Sequence, residues 1–389
     1  MEPSLRTRSI PASATLAISA KAGRLKAAGV DVVDLSVGQP DFPTPEHIVE
    51  AARKAMADKA FGYTPTAGTP KLREAVAQNL SAATGLKLAP ANVFVSSGAK
   101  QCLHNLMQAL VDPGDEVLVP APYWVSYPSM VHAAQGVMRV LPTSLERGFC
   151  IDAQQLREAL TDRSRLLVLN TPSNPTGAAY SEEELRALGE VVLSHPRLLV
   201  LSDEIYRGLT YDGWKHVSPA SLGQDLASRC FLVDGVSKAY AMTGWRIGYA
   251  AGDPEVIAAA IRYQDHTTSC PSSISQAAAL AALTGPQEPV EEMRRAFEKR
   301  RRALIEQVAS MQGLSLSPPQ GAFYGFLRLE AHAETDIALC ERLIDEAHVA
   351  AVPGTAFGAP SHIRVSFATS TDRLREGLAR IGRALCGPA

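Results

Sequence analysis

The sequence predicts an α/β fold: a large domain on a seven-stranded, mostly parallel sheet, followed by a smaller α+β domain. Three observations carry this expectation. From about residue 93 one pattern recurs, a short apolar β-rich run, a turn and then a helical stretch, which is how βα units around a parallel sheet read. Near Glu291 the texture changes to a long charged helical stretch, EEMRRAFEKRRRALIEQV, with a second group of strands beyond it. Finally, 389 residues with 46% apolar content suffice for two or three domains with sizeable cores.

Taken in order, the expected strands are residues 93–96, 116–120, 138–141, 166–169, 198–202 and 231–234, with 247–251 as a seventh. Runs such as LLVL are apolar without alternation because a parallel sheet is covered on both faces. Residues 101–111, 152–160 and 181–194 supply helices between them. After the charged helix, which reads as a connector with one solvated face, GAFYGFLRL and HIRVSFAT read as strands of the second unit. The expected division is therefore residues 1–45 as an N-terminal segment and part of the small domain, 46–290 as the large domain, and 291–389 as the small C-terminal domain.

The bulk chemistry narrows the function. A net charge of −2 and a pI near 6.5 give no electrostatic footprint for nucleic acid or an anionic membrane, which leaves a small molecule as the expected ligand. Acidic residues lie among the basic ones at 291–302, so that run is not a nucleic-acid patch. The six cysteines, at 102, 150, 230, 270, 340 and 386, form no CxxC pair, and neither a metal site nor a disulfide framework is expected. The N-terminus carries Arg6 and Arg8 but no apolar run of signal-peptide length, and no stretch reaches about 18 apolar residues. A cytoplasmic protein is expected.

Candidate site residues follow from strand ends, because ligands of open α/β sheets bind outside the carboxyl ends of the strands. Lys238 follows the run 231–234, Asp203 ends LLVLSD with Tyr206 three residues on, and Asn174 lies in NTPSNPTG after the run 166–169. Each has a plain alternative. A lysine is usually solvated, an aspartate there caps a turn, and Asn-Pro and Thr-Gly form turns unaided. SSGAK, residues 96–100, follows a strand and opens a helix, so its backbone N–H groups can hold an anion. Lys100 in that first turn opposes the helix dipole unless an anion lies nearby. In HIRVSFA, alternation puts Ile363, Val365 and Phe367 on one face and Arg364 on the other, and pattern alone favours an exposed Arg364.

Together the segments SATLAISAKA, LSVGQPDFPTP, YTPTAGTPKLREA, DPGDEVLVPAPYWVSYP, NTPSNPTG, SDEIY, SKAYAMTGWRIGYA, PPQGAFY, VPGTAFG and IRVSFATS form an ordered series along nearly the whole chain. That series resembles the fold-type I pyridoxal-phosphate aminotransferases of class I, particularly the bacterial-type aspartate aminotransferases. The resemblance implies pyridoxal 5′-phosphate as cofactor and Lys238 as the residue that holds it as a Schiff base and later shuttles a proton. It implies Asp203 opposite the pyridine nitrogen, Tyr206 and Asn174 on the phenolic oxygen, and Trp124 stacked on the ring. The phosphate falls to Arg246, to Gly98 and Ala99, and to Tyr63 of the partner subunit in a homodimer with shared active sites. Arg364 takes the substrate α-carboxylate, with Asn174, Trp124 and the backbone at Gly38.

Substrate choice turns on a second cation. The animal and enteric relatives use an arginine of the other subunit, and the corresponding stretch here, YQDHTTSCPSS, has none. Bacterial-type relatives use a lysine in the SSGAK position with the Ser and Thr of SAT, matched by Lys100, Ser13 and Thr15. This points to L-aspartate and 2-oxoglutarate in a ping-pong reaction. Aromatic or other amino acids, and prephenate, are the alternative, although Ile10, Pro11 and Ala12 leave no basic residue before SAT. A lyase gives Lys100 no purpose, and a ligand-sensing regulator has no place for a DNA-binding domain before Ser13.

Overall fold

The computed structural model describes residues 2–59, 62–330 and 334–386. Its large sheet has seven strands in the spatial order Val93–Ser96, Gly248–Ala251, Cys230–Gly235, Leu199–Asp203, Ser164–Asn170, Glu116–Ala121 and Val137–Pro142. All seven expected runs are strands, and only Gly248–Ala251 runs antiparallel to its neighbours. Leu166, Leu167, Val168 and Leu169 are at most 2% exposed, which is why that run shows no alternation. From Glu116–Ala121 the chain steps outward to Val137–Pro142, then crosses back to Ser164–Asn170 on the other side. The order reverses between Glu116–Ala121 and Ser164–Asn170, and a crevice is expected at such a point.

A four-stranded antiparallel sheet lies beyond, ordered Val352–Pro353, His362–Ser366, Tyr324–Leu329 and Leu314–Leu316. The N-terminal segment joins this part of the molecule, since Val33–Asp34 pairs in parallel with Val349–Ala350. The charged stretch forms the helix Glu288–Ala309. Arg294 and Arg295 pair with Glu291 on its solvated side, as expected. Its other side is not solvated. Phe297 and Leu304 are core residues, buried Arg301 reaches Asp212 and the Pro319 carbonyl, and Arg300 grips Asp41. Among the described residues, no helix is long and apolar enough to cross a membrane.

Candidate active site

The turn after Cys230–Gly235 carries Lys238, whose Nζ donates to the Gly38 carbonyl at 2.7 Å. The amine lies 5.8 Å from the ring centre of Tyr206 and 5.9 Å from that of Phe323. Its pKa is pushed down to about 8, first by burial and then by Arg246 and Arg364, against the opposing pull of Asp203. On the adjacent strand, Asp203 is the last residue and is buried. Its Oδ2 accepts from the Tyr127 phenol at 2.7 Å, and its Oδ1 accepts more weakly from the Ile205 N–H at 3.4 Å, the turn contact anticipated for an aspartate here. Burial raises the Asp203 carboxyl to about 6, with Asp234 and Glu204 adding to the effect and Tyr127 resisting it. Tyr127 also meets the ring of Trp124 edge-on, with centroids 5.4 Å apart.

A first anion seat forms where the strand Val93–Ser96 gives way to the helix Ala99–Leu110. Gly98 has a φ of 97°, and a Cβ there would stand 2.4 Å from Nη2 of Arg246, so only glycine lets the arginine lie against this turn. Arg246 is exposed, and its guanidinium donates to the carbonyls of Thr243 at 3.0 Å and Ser97 at 3.3 Å. The N–H groups of Ala99 and Lys100 have no helical carbonyl to use. No acid occupies the first turn. Lys100 places its ammonium 4.9 Å above the Trp124 ring, and its pKa is lowered by burial and then by Arg246. Two cations and a helix N-terminus thus share one corner.

A second anion seat is built around Arg364, and the expectation of an exposed residue from alternation is overturned. Arg364 is 2% exposed. Its strand is flanked on both edges, and both its faces are covered, so Ile363 and Val365 on one side and Arg364 on the other are all buried. Nη1 donates to Asn174 Oδ1 at 2.9 Å and Nη2 to the Ser36 carbonyl at 2.7 Å. Nε is buried without a partner, and the plane lies 4.5 Å from the Tyr324 ring centre and 5.1 Å from that of Phe357. Asn174 is held by its own backbone N–H on Asn170 Oδ1 at 2.8 Å, and Asn170 Nδ2 reaches the Asp203 carbonyl at 3.0 Å. The Asn174 loop docks on the PPQGAFY segment through Gly177, where φ is 70° and a Cβ would collide with Pro319.

Most residues chosen from sequence therefore meet through direct contacts. Lys238, Tyr206, Asp203, Trp124 (through Tyr127) and Lys100 lie along one chain of neighbours, Gly98, Ala99 and Arg246 form a corner beside it, and Gly38, Asn174 and Arg364 form the other end. Three stand apart. Tyr63 is 96% exposed, the Ser13 hydroxyl caps the helix Ala14–Ala27 by accepting from Leu16 N–H, and Thr15 Oγ1 is buried without a partner. That helix does reach the site's edge, since Ser19 Oγ lies 3.2 Å from Ser36 Oγ, on the residue whose carbonyl holds Arg364. Sequence reasoning missed Tyr127 and Tyr324, whose hydroxyls meet Asp203 and Tyr206. Nothing in the sequence separates them from core aromatics. Among the described residues, no group of three His, Cys, Asp or Glu side chains is placed to hold a metal ion.

A doubly wound sheet with a half-buried lysine and a buried aspartate at its carboxyl edge, set between two arginine seats, defines a fold-type I transferase. The chain belongs to the class I and II aminotransferases, whose family profile matches residues 30–381. It is 47% identical to the aspartate aminotransferase of Geobacillus stearothermophilus over 98% of each chain, and 46% identical to the aspartate/prephenate aminotransferase of Thermus thermophilus, again over 98% of each. The crystal structure of the Rhizobium meliloti aspartate aminotransferase superposes with a TM-score of 0.94 at 43% identity, over 99% of both chains. That of the Thermus thermophilus aspartate aminotransferase with maleate gives 0.95 at 45% identity, over 99% of this chain and 100% of the other.

Proposed function

We propose that this aminotransferase uses pyridoxal 5′-phosphate to exchange amino groups between L-aspartate and 2-oxoglutarate by a ping-pong mechanism. The observation that carries the reading is one low-pKa lysine acted on by two separate cationic seats, one at a helix N-terminus and one buried beside an amide. Bound in this site, the cofactor would supply an electron sink for the negative charge that develops at the substrate α-carbon. The residues fit it. Arg246 with the Gly98 turn and the N–H of Ala99 suits a phosphate, while the partnerless Nε of Arg364 calls for an acceptor such as a carboxylate.

Lys238, with a pKa near 8, has an appreciable unprotonated fraction at neutral pH and would hold the cofactor. With the cofactor bound, the Lys238 amine would also serve as the proton carrier at the substrate α-carbon. Asp203 would hold a proton on the pyridine nitrogen. Tyr206 and the side-chain N–H of Asn174 would donate to the phenolic oxygen, since Asn174 Oδ1 is taken by Arg364. Trp124 would pack against the cofactor, and Arg364, with the Gly38 backbone, would orient the α-carboxylate. Lys100, with Ser13 and Thr15, takes the distal carboxylate.

Residues 46–290 are assigned as the cofactor domain, 291–389 as the small domain, and 1–45 as the segment that adds to it. The exposed Tyr63, with Leu16 at 71% and Ile10 at 40% exposure, fits a homodimer in which Tyr63 of the partner subunit completes the phosphate seat. A cytoplasmic location suits this chemistry. The prephenate alternative draws on relatives of that name, but the positions just before SAT are Ile10, Pro11 and Ala12, none of them basic.

Half-reactions with L-aspartate and L-phenylalanine, followed by loss of the visible band of the loaded protein, test the reading. Aspartate should react faster, and Lys100→Ala should cut kcat/KM for aspartate roughly 10- to 150-fold while sparing phenylalanine. An equal loss on both amino acids would withdraw aspartate as the substrate.

A further inference from the structure

Resting on the function proposed above, we infer that Tyr324 is a positioning residue: it donates its phenolic proton to Tyr206 and so strengthens Tyr206 as the donor to the cofactor's phenolic oxygen. The two hydroxyl oxygens lie 3.0 Å apart, and both side chains are buried, at 0% and 3% exposure. Two phenols carry two protons, and the bond between them uses one. The other has to find an acceptor in a region closed to bulk water. If Tyr324 donates, the Tyr206 proton is free for a ligand oxygen. If Tyr206 donates, it has nothing to give the cofactor.

The surroundings favour the first arrangement. The Arg364 guanidinium lies 4.5 Å over the Tyr324 ring, and the Tyr324 hydroxyl sits close enough to Gly38 that a Cβ there would be 3.2 Å away. The ring is thus clamped between the backbone that accepts from Lys238 and the arginine that would hold the substrate. The charged groups near the pair are Arg364, Asp203 and Lys238. Burial raises both phenols above their ordinary value and Arg364 resists this at each, but Tyr206 is raised further, with Asp203 adding to the effect, which leaves Tyr324 the more acidic phenol and the better donor. A donor that itself accepts a hydrogen bond is polarised and strengthened. Tyr324 thereby connects the carboxylate seat, through its ring, to the proton balance at Lys238, through Tyr206.

The test is a pH titration of the visible band of the cofactor-loaded protein, alongside a binding isotherm for maleate as a non-reacting dicarboxylate. Tyr324→Phe keeps the ring under Arg364 and removes only the hydroxyl. Its titration midpoint should rise by about 0.5 on the pH scale, as expected for a weakened hydrogen bond to the phenolic oxygen, with maleate affinity unchanged. In Tyr206→Phe the midpoint rises further, and adding Tyr324→Phe to it should change nothing more, because Tyr324 acts through Tyr206. An unchanged midpoint with weaker maleate binding would overturn the inference and send the Tyr324 proton to the substrate. Additive shifts in the double variant would overturn it too. A wild-type protein that takes up no cofactor overturns the function itself, and this inference with it.

Discussion

Two arginines act on Lys238, and the protein holds them in opposite ways. Arg246 is exposed and fastened only by two backbone carbonyls beside a helix N-terminus. Water stabilises its charge, so the fold loses little by keeping it ready. Arg364 is buried and, among the described residues, touches no carboxylate; there an amide oxygen, a carbonyl and two aromatic faces are all that offset its desolvation. A buried charge without a counter-ion is costly, and here Nε remains unpaired as well. The difference teaches how a two-anion site divides its work: the exposed seat can exchange its ligand through solvent, while the buried seat gains most when a carboxylate arrives.

The strongest challenge to this contrast is Arg364→Met, which fills the site with an apolar side chain of similar length. Steady-state kinetics should show kcat/KM for every amino acid falling roughly 30- to several-thousand-fold, the cost of truncating a buried, hydrogen-bonded charge. The melting temperature of the ligand-free variant should not fall. A drop of several degrees would mean that Arg364 is a net stabiliser and that its charge is already compensated. Next in size is Arg246→Met, for which cofactor titration should show affinity weakened about 10- to 150-fold, with rates largely restored at saturating cofactor. Loss of rate that excess cofactor does not restore would erase the distinction between the seats.

Those two arginines also mark what was legible in the sequence. Arg246 and Lys238 could be placed because they flank apolar strand runs, and strands buried on both faces show themselves as such runs; all seven were read in this way. The reversed direction of Gly248–Ala251 was not readable, because an apolar run looks the same in either orientation. Burial of Arg364 was hidden for a related reason. Alternation reports one covered face, and this strand is covered on both. Tyr127 and Tyr324 read as ordinary core aromatics, since their partners Asp203 and Tyr206 lie 76 and 118 residues away along the chain. Only the fold turns such phenols into donors.

A smaller effect separates the arginines from the Asp203 carboxylate. Asp203 in the ligand-free protein titrates near 6, above its ordinary 3.8, so its contribution to stability is present below about 3.8 and is lost as the pH rises through 6. Cofactor binding needs the ionised form and should run the other way, weakening toward tenfold per pH unit below about 6. Isothermal titration across pH 5 to 8 checks this, and Tyr127→Phe should move the break to higher pH by removing the hydrogen bond that holds the carboxylate ionised. A break unmoved in that variant would detach Tyr127 from Asp203.

The central claim is that Lys238, between these seats, carries pyridoxal 5′-phosphate. Borohydride reduction of the cofactor-loaded protein, followed by proteolysis and mass spectrometry, tests it directly. One reduced cofactor per chain should be found, attached to Nζ of Lys238, and none after the protein has been treated with excess L-aspartate. Attachment at another lysine, or a protein that takes up no cofactor and traps none, would contradict it.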